Sequence, residues 1–521
     1  MSFAPSTSET TQPIAATVAA HSTGVRLRRG AIEGAYLLPA LALSALAFYP
    51  ITGNYFYADD FLNLFKIVND PVLQYLVTPN GGHLLLTRNA IFYLMFQLFG
   101  AHPEGYYWSA FLTHLVNVGL LYWVIRRMTD SAPLASFGAA LWGTCPVSEG
   151  SLGWYAVYGH VLVATELLII LGQAQRMAAA GQIPSRRMQW GWYALALAAS
   201  TSFGTGLAVA LLLPFVLAIL FPAWRRRWWR PPLVSLLVVV PAMYVGLNLL
   251  YARLSNENLL ASTPWLTLLT DPAGIVTIWL KLACYGFMRL LLGFYNPTWA
   301  TAWVWYAIAA AFAAIGVLVA RRSPPIVGRQ LVACAMLALG CYGIIAGARA
   351  VLVLAIAPRL VTELPRYHYV AQLLLAMLVC VVLAQVGAVL PAWSKRALLV
   401  GWYGLTLASY ARFARAIDNH DPARAGTEQA LAAIQHVIDT AAEGQPVFIA
   451  NRQFGPLPFL PAQFPGWAAV FTIFYPRNTT ADGRPIMFVD RSKDVIAAGS
   501  HGRRTATLFI TPEQYKASRQ P

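Results

Sequence analysis

The stretch YFYADDFLNLF occupies residues 55–65, just past the first long apolar run of the chain. It sets two adjacent carboxylates, Asp59 and Asp60, in a sequence that carries little charge. Of 521 residues, 58% are hydrophobic, 13% aromatic and only 11% charged, and the mean hydropathy is +0.55. A soluble globular chain carries about 25% charged residues. Here one apolar run after another approaches the roughly 20 residues that take a helix across a bilayer. The reading is an all-α polytopic membrane domain of about eleven transmembrane helices, with helices lying along the outer interface.

The formal charge is +16, and most arginines cluster where apolar runs end: RLRR (26–29), RR (126–127), RR (186–187), RRRWWR (225–230) and RR (321–322). These are cytoplasmic flanks under the positive-inside rule. No basic face on a soluble module is present, which argues against nucleic acid as a partner. The five cysteines show no CxxC and no pair spacing, so they read as small buried side chains.

Residues 1–25, rich in Ser, Thr and Ala, are expected to be a disordered cytoplasmic tail, and 26–413 the membrane domain. The first span, about 31–50, reads as uncleaved and delivers the loop 51–104 to the outer side of a bacterial inner membrane. Within that loop 84–99 is apolar but short and carries Arg88, which suits an interfacial helix. Crossings are expected near 105–125, 133–149, 152–174, 189–203, 205–222, 232–252, 298–320, 330–355, 369–391 and 397–413. The segment 274–295 carries Lys281 and Arg289; the charge rule places it at the outer interface or as a re-entrant helix. From 414 the composition changes. A helical pattern is followed by short runs such as PVFIA (446–450) and PIMFVD (485–490). They predict a small α+β extracytoplasmic domain over 414–521.

Adjacent carboxylates just outside a span have three readings: helix capping, a hard-cation site, or a general base tuned by its neighbour. The surroundings favour the third. Tyr55, Phe56, Tyr57 and Phe61 offer aromatic surface for a sugar face or a lipid, and the same loop continues with Asn80, His83 and Arg88. A second polar cluster, TELPRYHYV (362–370), lies on the same expected side and brings Glu363, Arg366, Tyr367 and His368. Arginine forms bidentate bonds with phosphate, and histidine adds a donor. Arg366, His368 and Arg88 are therefore the candidate phosphate contacts, weighed against ordinary headgroup anchoring. Glu149, Trp154, Tyr155, Tyr158 and His160 cluster at the outer end of a hairpin. With Tyr57, His83 and Tyr367 they supply the candidate cavity, namely Tyr57, His83, Tyr158, His160 and Tyr367. His114 and Asn117 share a helix face and are expected to bond another helix. Glu166, nearer mid-membrane, suits a structural or a functional role equally.

YFYADDFLNL (55–64), with the run GGHLLLTRNAIFYLMFQLFGAHPEGYYWSAFLTHLVNVGLLYWVIRR (81–127), resembles the start of GT-C glycosyltransferases. It is especially similar to bacterial multispan relatives of protein O-mannosyltransferases. The likeness of pattern covers roughly residues 30–220, and PRYHYV (365–370) resembles an arginine–tyrosine element before a late span. The resemblance implies a polyprenyl-phosphate sugar as donor, inversion at the sugar carbon, and an aspartate that deprotonates the acceptor. It maps the acidic residue to Asp59 or Asp60, with Asp59 favoured as base and Asp60 as support or metal contact. No metal ligand set is assigned; a divalent metal stays open. Asp-Asp stands where some protein mannosyltransferases have Asp-Glu, and no MIR module is present, so the acceptor is left as a glycan, a lipid or a protein. Two rivals remain from the residues: an O-antigen polymerase or ligase-like protein, and a lipid or sugar flippase. The missing internal repeat weighs against the second.

Overall fold

A computed structural model describes residues 33–80, 83–224, 232–255, 271–293, 302–356 and 362–388, with scattered positions between 391 and 489. The tail 1–25, Gly81 and Gly82, the basic run 225–230 and about two thirds of 397–413 lie outside the described residues. Among the described residues eight helices are long and apolar enough to cross a membrane.

The first helix, α1, runs Glu33–Gly53. Then α2 (Asp59–Asn69), α3 (Val72–Val77) and α4 (Leu86–Phe99) fill the loop between spans. The two-residue strands Pro79–Asn80 and His83–Leu84 pair antiparallel between α3 and α4. At about 21 Å, α4 is too short to span, as its sequence suggested. The long α5 (Pro103–Thr129) starts with proline at its first turn and ends in Arg126 and Arg127, which favours its C-terminal dipole. It lies antiparallel to α1. Arg126 Nε meets Glu33 Oε1 at 3.0 Å at one end, and the Phe48 and His114 rings sit edge to face at the other.

The core follows as α6 (Ala132–Gly143), α7 (Glu149–Leu152), α8 (Gly159–Ala179), α9 (Arg186–Ser202) and α10 (Gly204–Leu220). The chain turns from α9 to α10 at a single extended residue, Phe203. This sharp reversal needs Gly206, because a Cβ there would meet Ala199 O at 1.7 Å. Next come α11 (Leu236–Ser255), α12 (Pro272–Leu291), α13 (Ala302–Arg322), α14 (Pro325–Ile356) and α15 (Tyr369–Ala388). The helices α5, α6, α8, α10, α14 and α15 pack on one another around one continuous apolar core. Small residues bring them close, as where Gly138 of α6 faces Cys380 of α15. Trp303 and Val238, each 71% exposed, belong to an apolar outer surface of the kind that faces lipid.

One expected crossing is clearly shorter than anticipated: the helix α6 stops after 12 residues, while α9 and α10, at 17 residues each, match their expected segments. The cause in α6 is Pro146, which forces Cys145 into an extended backbone. The chain then stays irregular to residue 158 instead of making a tight hairpin. The segment expected along the surface, 274–295, is a bundle helix instead: Trp279 of α12 donates to Leu339 O of α14 at 2.8 Å. Its apolar length and its small-residue contact at Gly286 outweigh the two cations that suggested a surface position. Of the C-terminal segment, Val447–Ala450 and Ile486–Val489 form a parallel pair at two of the expected strands; most of the rest lies outside the described residues.

Candidate functional site

The end of the bundle where α1 finishes and α5 begins gathers three irregular segments: 54–60, 144–158 and 362–368. They are locked together by backbone. A Cβ on Gly150 would lie 2.6 Å from Pro365 Cβ and 2.7 Å from the Arg366 nitrogen, so only glycine fits. Ser151 Oγ donates to Arg366 O at 3.4 Å. Ala156 N–H donates to Asp60 Oδ1 at 2.6 Å.

The two aspartates have different jobs. Asp60 is wholly buried. Its Oδ1 accepts from Ala156 N–H, its Oδ2 accepts from Tyr57 N–H at 2.9 Å, and the Tyr107 hydroxyl lies 3.2 Å from Oδ2 and 2.9 Å from Tyr55 O. Such a carboxylate organises backbone. The donors around it are N–H and O–H groups, which do not suit a cation. Among the described residues no cluster of His, Cys, Asp or Glu has the arrangement to hold a metal ion. Asp59 is half-buried on the same first turn of α2. Ala58 just before it takes φ +44°, a left-handed backbone that costs a non-glycine residue about 1–2 kcal/mol. Such strain gathers at functional sites.

Next to the acid pair the aromatic groups form a relay. Tyr57 meets the Trp154 ring edge to face at 5.5 Å. The Arg366 guanidinium lies over the same Trp154 ring at 4.9 Å and over Tyr367 at 5.0 Å. Trp154 thus stands between the acid segment and the cationic turn. Arg366 is half-buried and makes no ion pair with a carboxylate among the described residues. Its donor fork is held flat by two rings rather than neutralised. Arg289, at the end of α12, adds positive charge: the Cys145 thiol reaches its carbonyl at 3.7 Å, and its charge acts on His368.

His368 does not join this clamp, contrary to expectation. It is fully buried, with Nε2 2.8 Å from Thr362 O and Nδ1 3.1 Å from the Tyr342 hydroxyl. Both nitrogens are engaged by protein, and burial pushes its pKa down to about 4. It is a neutral brace beneath the turn. Arg88 also departs from its expected phosphate role. It is 1% exposed, and its Nη1 donates to Asn63 Oδ1 at 2.5 Å. It is enclosed by protein between α2 and α4.

Three of the five cavity candidates come together. His83, His160 and Tyr367 line one small pocket of about 10 Å3 with Phe203, Thr205 and Ile344. His83 packs directly on the Gly204 backbone, where a Cβ would lie 2.5 Å from the ring. His160 Nδ1 is 3.2 Å from the Thr205 hydroxyl. That is room for about one water-sized group. Tyr57 faces Trp154 instead. Tyr158 is a core residue, bonded to Thr113 at 2.7 Å and stacked on Tyr155 at 5.0 Å. Glu149 and Asn54 both lie beside Gly153 within the site, while His114 bonds Tyr369 and Gly143 O in the core, as its helix position suggested. Sequence reasoning missed Tyr107, Asn63 and Gly150. The closely spaced glycines of EGSLGW (149–154) were the one available signal.

No protein-family model matches the chain, and no curated protein matches it. Among solved structures it is similar to the crystal structure of ArnT from Cupriavidus metallidurans bound to undecaprenyl phosphate. The identity is 13% and the TM-score 0.49, over 89% of this chain and 88% of that one.

Proposed function

We propose that this chain is an integral-membrane glycosyltransferase. It moves a sugar from a polyprenyl-phosphate donor to a glycan, lipid or protein acceptor at the outer face of the cell membrane. Asp59 takes the proton from the acceptor hydroxyl. The acceptor oxygen bonds to the anomeric carbon as the bond from that carbon to the phosphate oxygen breaks, with inversion. Polyprenyl phosphate leaves with the electron pair, and its charge rests on Arg366, with Arg289 nearby. The small pocket of His83, His160 and Tyr367 takes one hydroxyl of the sugar or of the acceptor.

The observation that carries this reading is the position of Trp154, with Tyr57 of the acid segment on one side and the Arg366 cation on the other. A carboxylate base and an unneutralised phosphate fork on one surface suit transfer from a lipid phosphate. Electrostatic reach of Tyr55 by Glu428 supports a C-terminal part that approaches the same surface.

The test is donor-dependent sugar transfer by the full-length protein in liposomes carrying polyprenyl-phosphate sugar. Asp59→Asn is expected to lower kcat by about 10²–10⁴-fold, the range of a lost general base. Full transfer by Asp59→Asn would sink the assignment. Movement of the lipid across the bilayer without transfer would favour a flippase, and transfer indifferent to both aspartates a polymerase or ligase-like protein.

A further inference from the structure

We propose that Trp154 reads the phosphate of the ligand: its indole N–H donates to a phosphate oxygen whose charge is shared with Arg366. This deepens the glycosyltransferase reading and rests on it for the lipid that carries the phosphate.

The observation is an unmet donor. Elsewhere in the bundle indole nitrogens find acceptors. Trp142 donates to Tyr369 O at 3.0 Å, Trp192 to Gln173 Oε1 at 2.8 Å and Trp279 to Leu339 O at 2.8 Å. The Trp154 Nε1–H is enclosed and has no acceptor among the described residues. Trp305 shares that state, but within an apolar cluster of Cys284, Tyr285 and Met288. An indole at the end of a span ordinarily bonds headgroups or water; this nitrogen is sealed from both. A buried N–H left without a partner is expensive, and each such group calls for an explanation.

Its surroundings name the acceptor. The Arg366 guanidinium lies over the same ring, 4.9 Å from its centre, and is itself half-buried. An anion drawn to that cation comes to the ring that carries the unmet N–H. A phosphate offers three acceptor oxygens, so one group serves both donors. On the other side Tyr57 meets the ring edge to face at 5.5 Å, and this contact is the one an entering headgroup displaces.

The indole is held from its backbone. Trp154 O accepts from Val157 N–H at 3.1 Å, at the start of the short turn Tyr155–Val157. In the same turn Ala156 N–H is fastened to the buried Asp60. A Cβ on Gly153 would lie 3.0 Å from Glu149 Oε1, which leaves that link little room to shift. The segment also holds Ser148, wholly buried on the turn Pro146–Ser148 that packs against Pro365–Tyr367. Its hydroxyl likewise has no partner among the described residues. Residues 144–158 thus bring to the Arg366 turn more hydrogen-bonding capacity than the described protein uses.

The experiment titrates full-length protein in lipid nanodiscs with polyprenyl phosphate and with polyprenol of the same length, and reads Kd by native mass spectrometry. Trp154→Phe keeps a ring beside Arg366 and Tyr57 but removes the N–H. Trp154→benzothienylalanine keeps the ring size as well, replaces the N–H by sulfur, and carries the test alone if Trp154→Phe does not fold. Both are expected to weaken polyprenyl phosphate by about tenfold or more, the worth of one hydrogen bond to a charged group. Polyprenol should bind within about twofold of the wild type, a change smaller than one such bond. The unfolding temperature of the benzothienylalanine variant should not fall, because the N–H it lacks had no partner to lose. A wild-type Kd for polyprenyl phosphate in both variants would overturn the proposal. So would an equal loss for polyprenol, which would mean that the ring packs the prenyl chain. A lowered unfolding temperature with unchanged Kd would assign the N–H to a trapped water and also overturn it. Inorganic phosphate, titrated in parallel, separates the carriers: a tenfold effect there and none with the lipid would keep the phosphate contact and sink the lipid as its source. Phosphate-selective loss without sugar transfer in any variant would sink the glycosyltransferase reading and leave the contact standing. Transfer by the wild type, with an unmoved Kd in both variants, would sink the contact alone.

Discussion

The two ends of α1 treat opposite charges differently. At its start Glu33 and Arg126 meet at 3.0 Å, the Tyr122 hydroxyl donates to Glu33 at 2.7 Å, and Arg126 reaches on to Asp130. The charges there neutralise each other and fasten α1 to α5. Beyond its other end the acid segment and Arg366 share a surface but are separated by the Trp154 ring. Charges that meet are used up in holding helices; charges kept apart by an aromatic spacer still act on a third group. The same residue types thus yield a rivet at one end and a site at the other.

The comparison can be broken most forcefully at Asp60. Asp60→Ala strands the Ala156 and Tyr57 N–H donors, while Tyr107 keeps Tyr55 O, and should cost about 3–5 kcal/mol, seen as a large drop in thermal unfolding temperature in detergent. A small drop would mean that Asp60 does not knit the three segments. A weaker lever is pH. His368 is held at about 4 when folded, against its ordinary 6.5. Between those values the unfolded chain takes up a proton that the folded chain refuses, so stability falls as pH falls from about 6.5 to about 4. The expected loss is on the order of 3 kcal/mol, and His368→Gln should flatten it in unfolding scans across that window. The smallest effect belongs to the rivet. Glu33→Gln should lower stability by about 1–2 kcal/mol and leave transfer kinetics unchanged. A changed kcat would mean that the two ends are coupled.

The helical framework was legible because apolar runs of span length are hard to use otherwise. Where helices stop was less so. Pro146 lies in a run that reads as apolar, yet it ends α6 early and creates the very segment that carries Trp154. At the site, Asp59, Asp60 and Arg366 were legible as charges a membrane chain rarely carries. Their roles needed three dimensions. His368 and Arg88 look in sequence like further phosphate donors, but each is buried and bonded to protein. Tyr107 is indistinguishable in sequence from its aromatic neighbours, and only the return of α5 beside the acid segment brings its hydroxyl to Asp60.

Gly150 has a mechanical consequence. Where the Gly150 backbone lies against the Pro365 ring and the Arg366 nitrogen with no room for a Cβ, neither segment has room to slide or roll over the other. The 144–158 segment and the 362–368 turn therefore travel as one jaw. Residues 54–60 meet that jaw through ring edges and hydrogen bonds, so this seam is where the end of the bundle would part to admit a ligand.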